Sequence, residues 1–467
     1  MANDAAGRCP LARSAPGSIA PHVLVREDEA DLARRHGQRL LADVGLAVHL
    51  DAGLDHPAVS WVRSGLSAVT GRPGGGALMA PTSLTAVADG ALAALAAIST
   101  SPGLQGLRGS ALLGERARLC GLQRQGAISP GGGSRLLPTA GGMVAVSLVR
   151  ESDWDLVPAW LEAPLDDWAS VAMALATRPG ADVLDRGRML GLAVADAAGE
   201  GAPGPWFETC FRGAARPRPR AGPPLVIDLS ALWAGPLCAD LLGRMGSRVI
   251  KVESRVRPDG ARAGAPEVYD RLNSGKSSLC LDFNDRADLA ALRALMETAD
   301  IVIESSRPRA LRQLGLRAED IIARNPGLTW IAISGHGRDE PQAGWTGFGD
   351  DAAVAAGLSR LMKDVHGDWL FCGDAIADPL TGLHAAVLAW ASWMKGGGQL
   401  HAISLRSVIS AAIAADAGLS PPERQARTHR WTSLAAGADT SLYGLAPARE
   451  PAEALGASTR RLLGAAC

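Results

Sequence analysis

The sequence lacks the features that mark membrane, secreted and nucleic-acid-binding proteins. Its 467 residues contain no run of eighteen apolar residues, and no basic N-terminal start is followed by an apolar core, so neither a membrane span nor a signal peptide is predicted. Forty-seven basic side chains balance forty-eight acidic ones, which leaves no global field to attract nucleic acid or anionic lipid. We expect a cytoplasmic protein that acts on small molecules.

Cysteine, histidine and serine patterns exclude three further classes of site. The seven cysteines form an odd set without a C-x-x-C pair and the nine histidines show no H-E-x-x-H spacing, so neither a disulfide framework nor a metal site is predicted. The G-x-S-x-G signature of serine hydrolases does not occur. The segment LNSGKSS at 272–278 ends like a P-loop, but Asp270 and Arg271 stand where its first glycine is needed, which excludes that ATP site.

The length and one segment of biased composition predict at least two parts in the chain. A chain of 48.2 kDa exceeds what one hydrophobic core usually fills. Residues 214–224, AARPRPRAGPP, combine proline, glycine and arginine without apolar periodicity, so they are predicted to be a linker. The other predicted divisions are an N-terminal tail at 1–34, an N-terminal part at 35–213, a sheet domain at 225–415 and a C-terminal tail at 416–467.

Short apolar runs alternate with helical patterns after the linker. One of these patterns is AGPLCADLLGRMG, which has Pro236 in its first turn and Gly246 at its end. Alternating strands and helices predict an α/β fold with a doubly wound, Rossmann-like parallel sheet, whose ligands bind at the carboxyl ends of the strands. The predicted strands are 225–229, 248–253, 277–283, 300–305 and 328–335.

Two segments of the chain match each other without a gap. Each begins with GLS and has a further glycine twenty-five positions later, at Gly65 and Gly90 in one copy and at Gly357 and Gly382 in the other. An apolar helix pattern follows in both. The match predicts an internal duplication in which residues 64–98 and 356–390 adopt the same local structure.

Asp378 distinguishes the two copies, since the first copy has Ala86 at the matching position. Asp378 followed by Pro379 is a common helix start, with the aspartate as N-cap and the proline as first helical residue. A carboxylate at that place is also available as a nucleophile, kept ionised by the helix dipole. Both interpretations are compatible. One face of the predicted helix is approximated by five apolar residues, Leu380, Leu383, Val387, Trp390 and Met394.

Three runs of three glycines lie at 74–76, 131–133 and 396–398. Flexible linkers are the usual interpretation of such runs. The run at 131–133, in SPGGGSR, is also a candidate lid over an active site, because glycine lets a backbone approach a reacting centre closely and move.

Six ordered motifs between residues 225 and 405 carry a resemblance to a known family. They are VIDLSALWAGPLCADLLGRMGSRVIKVE, LNSGKSSLCLDF, ADIVIESSRP, NPGLTWIAISGHG, ADPLTGLHAA and KGGGQLHAISL. In this order and spacing they resemble the family III CoA-transferases, the group of carnitine, bile-acid and formyl-CoA transferases. LGASTRRLL near the end of the chain is similar to the family's C-terminal stretch, and residues 133–154 are similar to the start of its small middle domain. The resemblance implies that the N-terminal part is a degenerate relative of the same family.

The resemblance implies covalent CoA transfer. Asp378 matches the family's catalytic aspartate, which attacks an acyl-CoA thioester to give a mixed anhydride and then an aspartyl-CoA thioester, from which an acceptor carboxylate takes the CoA. Ala86 implies that the first copy is inactive. Acyl-CoA and carboxylates are then the small-molecule partners, coenzyme A is a substrate and no cofactor is bound permanently. A homodimer is expected.

The resemblance also places coenzyme A over the strand ends of the sheet. Ser305-Ser306 replaces the family's Asn-Phe and Ser254 replaces a basic residue, so Arg255, Arg257 and Arg312 become the candidates for binding the CoA phosphates. The positions implied to contact CoA are Ala231, Leu232, Trp233, Ala234, Arg255, Leu281, Ser305, Ser306 and Leu314.

Two alternatives stay open at this point. An α-methylacyl-CoA racemase resembles this family but needs a histidine and an aspartate as acid and base, and Phe348 occupies the position expected for that histidine. A catalytically inactive partner subunit is suggested by the altered CoA-contact residues, and the intact Asp378 counts against it.

Overall fold

The computed structural model describes residues 29, 31–50, 53–199, 204–217, 222–445 and 450–464. The predicted tail at 1–34 lies almost entirely outside these residues, as do parts of the predicted linker and C-terminal tail. The elements of the described chain fall into a helical region, a small antiparallel sheet and a large, mostly parallel sheet.

Helices form most of the described N-terminal part. They are α1 (Leu32–Asp43), α2 (Pro57–Arg63), α3 (Leu66–Val69), α4 (Leu84–Ala97), α5 (Gly109–Leu119), α6 (Glu151–Trp154), α7 (Val157–Leu161), α8 (Trp168–Ala176) and α9 (Gly180–Leu190). The later helices are α10 (Ala234–Arg244), α11 (Pro266–Asn273), α12 (Arg286–Thr298), α13 (Pro308–Gln313), α14 (Ala318–Arg324), α15 (Gly349–Ala355), α16 (Leu358–His366), α17 (Ala377–Met394), α18 (Leu405–Ala414), α19 (Pro421–Ala436) and α20 (Thr459–Leu463).

Strands occur in both parts of the described chain. They are β1 (Ser134–Thr139), β2 (Gly142–Ser147), β3 (Ala193–Asp196), β4 (Phe207–Arg212), β5 (Leu225–Leu229), β6 (Arg248–Ser254), β7 (Ser277–Leu281), β8 (Ile301–Glu304), β9 (Thr329–Ser334) and β10 (Gln399–Ser404). Short 3-10 turns lie at Pro102–Leu104, Gly260–Ala263 and Gln342–Gly344.

The large sheet confirms the predicted fold class. Its strand order is β4-β10-β9-β8-β5-β6-β7, and every neighbouring pair is parallel except β4 with β10. The six parallel strands have the order of a Rossmann fold, with the topological switch point between β5 and β8. All five strands predicted from sequence occur, each within two residues of the predicted bounds.

Strand β4 gives the sheet an edge that the sequence analysis did not predict. It precedes the predicted linker at 214–224 but pairs antiparallel with β10, so the sheet receives one strand from the N-terminal part. The start of the linker is also fixed, since the Arg216 amide donates to the carbonyl of Gly396 and its guanidinium binds Asp300. The domain boundary at 214–224 stays a prediction.

The small sheet joins β1, β2 and β3 and packs against α7, α8 and α9. Its strands β1 and β2 lie within residues 133–154, the segment similar to a middle domain. The described residues 29–119, by contrast, form helices and turns with only an isolated bridge between Gly71 and Ala77. The duplicated segment of the N-terminal part therefore has no parallel sheet of its own among these residues.

Helix α17 lies at the centre of the larger core. All of its residues from Pro379 to Ser392 are buried, so the buried surface of the helix extends beyond the face formed by the five residues predicted from sequence. One side of the helix packs against α10 and the other against α4, and Leu95, Leu237 and Leu383 belong to one hydrophobic cluster. The N-terminal part therefore covers the face of α17 that the sheet domain leaves open.

The two halves of the predicted repeat agree at both ends and differ in the middle. Gly65 and Gly357 have φ angles of 89° and 95°, and each precedes a short helix. The long helices α4 and α17 begin one residue apart in the alignment. Between them α16 is five residues longer than α3, so the shared local structure is confirmed for the glycine turn and the long helix only.

Membrane-spanning helices, disulfides and metal-binding groups were sought among the described residues. No helix among the described residues is long and apolar enough to cross a lipid bilayer. The cysteines in the described ranges are free thiols. Within the same ranges, no group of three or more histidine, cysteine, aspartate or glutamate side chains is arranged to hold a metal ion.

Candidate active site

Asp378 lies at the start of α17, at the carboxyl edge of the parallel sheet. The helix begins at Ala377 after an N-cap at Ile376, so Asp378 is the second helical residue and the predicted N-cap is wrong by two positions. Its own amide donates to the Ala375 carbonyl at 2.9 Å. The carboxylate instead accepts a hydrogen bond from the amide of Ala234, the first residue of α10.

Two unusual backbone positions let the Asp378 carboxylate fit. Ala375 has φ of 43°, in the left-handed region that side chains disfavour, which turns the chain sharply before the helix. A Cβ atom on Gly349 would lie 2.1 Å from Oδ2 of Asp378 and 2.5 Å from the Ala375 carbonyl oxygen. Only glycine at position 349 leaves room for this contact.

Two further carboxylates lie beside Asp378. Asp350 accepts hydrogen bonds from the Ala375 amide at 2.9 Å and from the Ser134 hydroxyl at 3.2 Å. Asp374 is 1% exposed, and no hydrogen bond reaches either of its carboxylate oxygens. Asp350, Asp374 and Asp378 were not identified together from the sequence, because the loop 373–376 that brings them together has no characteristic motif.

Burial and like charge control the ionisation of this group. Burial raises the pKa of Asp378 to about 7, the field of Arg116 opposes that change, and Asp350 adds to it. Burial and the Asp374 carboxylate likewise raise the pKa of Asp350 to about 7. Burial outweighs the effects of Arg116 and of the Ala234 amide, and the role of a helix dipole in keeping Asp378 ionised stays a prediction. The Asp378 side chain still keeps partial access to solvent.

Arg116 is the functional residue that sequence reasoning missed most clearly. It lies on α5 in the N-terminal part, and its Nε is 3.5 Å from Oδ2 of Asp374. Its guanidinium lies over the Trp233 ring, 5.5 Å from the centroid. No local pattern around Arg116 signals a site, because its partners are more than a hundred residues away in the chain.

The predicted CoA loop at 231–234 lies at the switch point between β5 and β8. The Ala231 amide donates to the Ser305 hydroxyl at 3.0 Å, which joins the ends of the two strands. Leu232 has φ of 67°, and its amide donates to Asp259. Asp259 is in turn paired with the buried Lys251 at 2.9 Å, so a buried ion pair fixes the shape of the loop.

The structure separates the other predicted CoA contacts into exposed and buried positions. Ser305, Ser306 and Leu314 are partly exposed beside the switch point, and Arg255 is exposed at the end of β6. Leu281 is 1% exposed and packs in the core, so only its carbonyl, which accepts from the Arg255 amide, lies at the surface of the strand end. Trp233 and Ala234 are also largely buried, at 8% and 4% exposure.

A group of arginines lies near these strand ends. Burial lowers the pKa of Arg307, and the fields of Arg309, Arg150 and Arg257 lower it further, so each of these three cations lies near Arg307. Arg307 donates to the Thr346 hydroxyl, and Arg150 belongs to the small-domain segment. Such a group of like charges is a favourable site for an anion. Of the predicted phosphate-binding candidates, Arg257 is in this group, whereas Arg312 pairs with Glu319 at 2.7 Å.

The glycine run at 131–133 lies next to the carboxylates. A Cβ on Gly131 would be 3.0 Å from Nη2 of Arg116 and 3.8 Å from Oδ1 of Asp374. The run at 396–398 instead packs against residues 214–216 and 327 before β10 begins, at the opposite edge of the sheet. The run at 74–76 is in a turn closed by a bridge between Gly71 and Ala77.

The position considered for a racemase histidine holds Phe348, whose ring lies near Arg150. A buried histidine, His336, follows β9, and its Nε2 is 3.4 Å from Oδ2 of Asp351. Asp351 also accepts hydrogen bonds from the Phe348 amide and the Ser147 hydroxyl. Its contacts thus join the small sheet to α15.

The large sheet thus has the Rossmann strand order, and Asp378 and Arg307 lie near the carboxyl ends of its strands. Residues 224–443 match the family model described as CoA-transferase family III. The chain is 31% identical over 217 residues to the succinate–glutarate CoA-transferase of Agrobacterium fabrum, covering 42% of this chain and 54% of that protein. It is 29% identical over 167 residues to the human succinyl-CoA:glutarate CoA-transferase, covering 34% and 38%.

The match of residues 224–443 to this family model agrees with the resemblance that the six motifs carry. The chain spans about half or less of the length of these curated relatives. Among solved structures, it is similar to a CAIB/BAIF family protein from Brucella suis, with 26% identity, a TM-score of 0.36, and coverage of 43% of this chain and 57% of that one.

Proposed function

We propose that this protein transfers coenzyme A from an acyl-CoA to a carboxylate acceptor, with Asp378 as the nucleophile. The observation that carries the proposal is the position of Asp378. Within the segment that matches the family model, its carboxylate has partial solvent access beside the switch point of the sheet and accepts a hydrogen bond from the N-terminus of α10.

The reaction begins when the ionised Asp378 attacks the thioester carbonyl of the donor. The C–S bond breaks, a mixed anhydride forms, and the CoA thiolate leaves. The thiolate then attacks the aspartyl carbonyl, which releases the donor acid as a carboxylate and leaves an aspartyl-CoA thioester. An acceptor carboxylate attacks that thioester, and the thiolate finally attacks the acceptor carbonyl of the new anhydride. Asp378 is regenerated, and no free energy is lost to hydrolysis.

The surroundings of Asp378 suit these steps. The Ala234 amide lies at the positive end of α10. It stabilises the negative charge that develops on the aspartyl carbonyl oxygen during each addition step. A pKa near 7 leaves a large ionised fraction at neutral pH and makes the carboxylate more basic than an exposed aspartate. Gly349 leaves free the space beside Oδ2 of Asp378 that a Cβ atom would fill.

Coenzyme A is placed over the strand ends in this proposal. The arginines Arg150, Arg257, Arg307 and Arg309 bind its phosphates, and the 231–234 loop lies beside the pantetheine arm, which leads toward Asp378. The glycine run at 131–133 covers the site as a lid, because its backbone approaches Arg116 and Asp374 closely. The carboxylate partners are small molecules, as the names of the relatives suggest.

A screen of acyl-CoA donors against carboxylate acceptors, read by mass spectrometry, tests the proposal. Donors and acceptors named for the relatives, such as succinyl-CoA, glutarate and malate, are the first set. New acyl-CoA should form with the wild type and not with Asp378→Asn. Transfer by the Asn variant would contradict the role of Asp378. Absence of transfer with every donor that binds would favour the inactive partner subunit.

The racemase alternative has a separate readout in the same assays. It requires exchange of the proton on the α-carbon of the acyl group, so solvent deuterium would enter the donor without any CoA exchange. His336 does not replace the missing histidine at 348 in our proposal, because its nearest acidic partner is Asp351 rather than Asp378.

A further inference from the structure

We propose that Arg116, a residue of the N-terminal part, is a positioning residue that stabilises the ionised form of Asp378, so that the N-terminal part completes the active site within one chain. The inference rests on the proposed function. It adds a role for the degenerate copy, which has Ala86 in place of a nucleophile.

The contacts of Arg116 place its charge at the site. Its Nε lies 3.5 Å from Asp374, which is four residues before Asp378 on the loop that leads into α17. The guanidinium also lies over Trp233, and the next residue, Ala234, donates its amide to the Asp378 carboxylate. Arg116 therefore contacts both segments that hold Asp378.

The free donors of Arg116 point to a role beyond pairing with Asp374. No hydrogen bond joins its guanidinium to another group in the described residues, and its ion pair with Asp374 is long, at 3.5 Å between Nε and Oδ2. Its side chain is 33% exposed, whereas Asp374 is 1% exposed. Gly131 keeps this space open, since a Cβ there would lie 3.0 Å from Nη2.

The charges around Asp378 explain why a cation is needed. Asp350 and Asp351 on α15 and Asp374 on the loop before α17 are all acidic, Arg116 faces Asp374, and the His336 imidazole faces Asp351. Carboxylates at this separation disfavour each other's ionisation, and a nearby guanidinium opposes the effect. In agreement, the field of Arg116 lowers the pKa of Asp378 against the effect of burial.

The test compares pH profiles of kcat/KM for CoA transfer. Arg116→Met should move the midpoint of the acid limb upward by about 1 pH unit, because the ionised nucleophile loses its counter-charge. Arg116→Lys should restore most of the wild-type midpoint. The matched control is Arg118→Met on the same helix, whose guanidinium donates to the Tyr443 carbonyl, and its midpoint should not move.

Arg116→Met leaves the buried Asp374 carboxylate unpaired, which could destabilise the fold. The comparison is therefore repeated in a variant that lacks this carboxylate. Asp374→Asn removes that charge, and the double variant Arg116→Met/Asp374→Asn should still titrate about 1 pH unit above Asp374→Asn alone. A loss of rate at all pH values with an unchanged midpoint would overturn the inference, as would an equal shift in Arg118→Met.

A direct titration separates this inference from the proposed function. The infrared spectrum of the wild type minus that of Asp378→Asn contains the band of the protonated Asp378 carboxyl. The intensity of this band as a function of pH gives the titration midpoint of Asp378, and the measurement needs no turnover. We expect that midpoint to rise in the Arg116→Met background. An unmoved midpoint would refute the role of Arg116, whereas absence of CoA transfer in the wild type would refute only the proposed function.

Discussion

At the scale of single residues, Asp378 is costly to the fold. An aspartate at a helix start is usually a stabilising N-cap. Asp378 is instead the second helical residue, and its carboxylate lies beside other acidic groups and accepts a hydrogen bond from a neighbouring helix. A residue that destabilises its own fold is typical of a functional site rather than of a structural cap.

The stability of the protein should therefore depend on Asp378 through pH. The folded pKa of about 7 lies above the unfolded value near 4, so the folded state binds the extra proton and loses stability as pH rises between these values. Asp378→Asn should match the wild type near pH 4 and exceed its free energy of unfolding by about 2 kcal/mol at pH 8, less than the full shift implies because the carboxylate keeps some solvent contact. Urea unfolding at both pH values measures this, and an Asn variant that is less stable at pH 8 would contradict it.

Arg307 should matter for binding rather than for chemistry. Its charge lies among three other arginines near the strand ends, where the phosphates of coenzyme A are proposed to bind. Arg307→Met should raise the KM for acyl-CoA about tenfold, the loss of one charged hydrogen bond, and change kcat little. Arg312→Met, which breaks only an exposed pair with Glu319, is the control. Equal effects of the two variants would remove Arg307 from the CoA site.

At the scale of elements, two glycines let helices cross closely. A Cβ on Gly382 in α17 would lie 2.7 Å from the Ala234 carbonyl oxygen, and one on Gly90 in α4 would lie 2.3 Å from that of Ala33. The repeated glycine thus has the same packing role in both copies, against α10 in one and α1 in the other. The repeated glycine is visible in the sequence, but the close helix crossing that requires it is visible only in the structure.

Alanine at either crossing should separate the helices. Gly90→Ala and Gly382→Ala should each lower the free energy of unfolding by about 1–3 kcal/mol, since backbone must move to admit the methyl group. Gly382→Ala should also reduce CoA transfer more than Gly90→Ala, because Ala234 binds Asp378. The exposed Gly418, with open space around it, gives a neutral control variant. Thermal unfolding that is unchanged in both crossing variants would contradict the packing argument.

The strands were predicted well because they are buried on both faces. Continuous apolar runs such as LVIDL, bounded by turn residues, leave little choice of structure, and β5 has the predicted bounds of 225–229. The helix α17 was predicted less well. Its start was predicted two residues too late, because Asp378 followed by Pro379 is a common helix start, whereas the helix begins at Ala377 after an N-cap at Ile376.

At the scale of the whole molecule, the candidate site combines residues that are far apart in the sequence. The motifs identified Asp378, the 231–234 loop and Ser305, because each lies within a local pattern at a strand end or helix start. Arg116 and Gly131 come to the site from the N-terminal part, and sequence spacing carries no information about that docking. A pairwise contact between separate parts of a chain needs a structure or an alignment to reveal it.

The predicted homodimer is a second question at this scale. An apolar helix such as 379–394 would favour a second chain as partner, but α4 and α10 already bury α17 within the chain. The expectation now rests on the family resemblance alone. Sedimentation at micromolar concentration should give about twice the mass of 48.2 kDa if the homodimer forms, and a value near the single-chain mass would contradict it.

The central claim is that Asp378 becomes acylated during CoA transfer. Incubation of the wild type with an acyl-CoA donor, followed by hydroxylamine, should convert Asp378 to a hydroxamate, because both the anhydride and the aspartyl-CoA thioester react with this nucleophile. Mass spectrometry of the peptide that contains residue 378 would then show the modification only when donor is present, and Asp378→Asn would show none. An unmodified Asp378 with every donor that demonstrably binds would contradict the account.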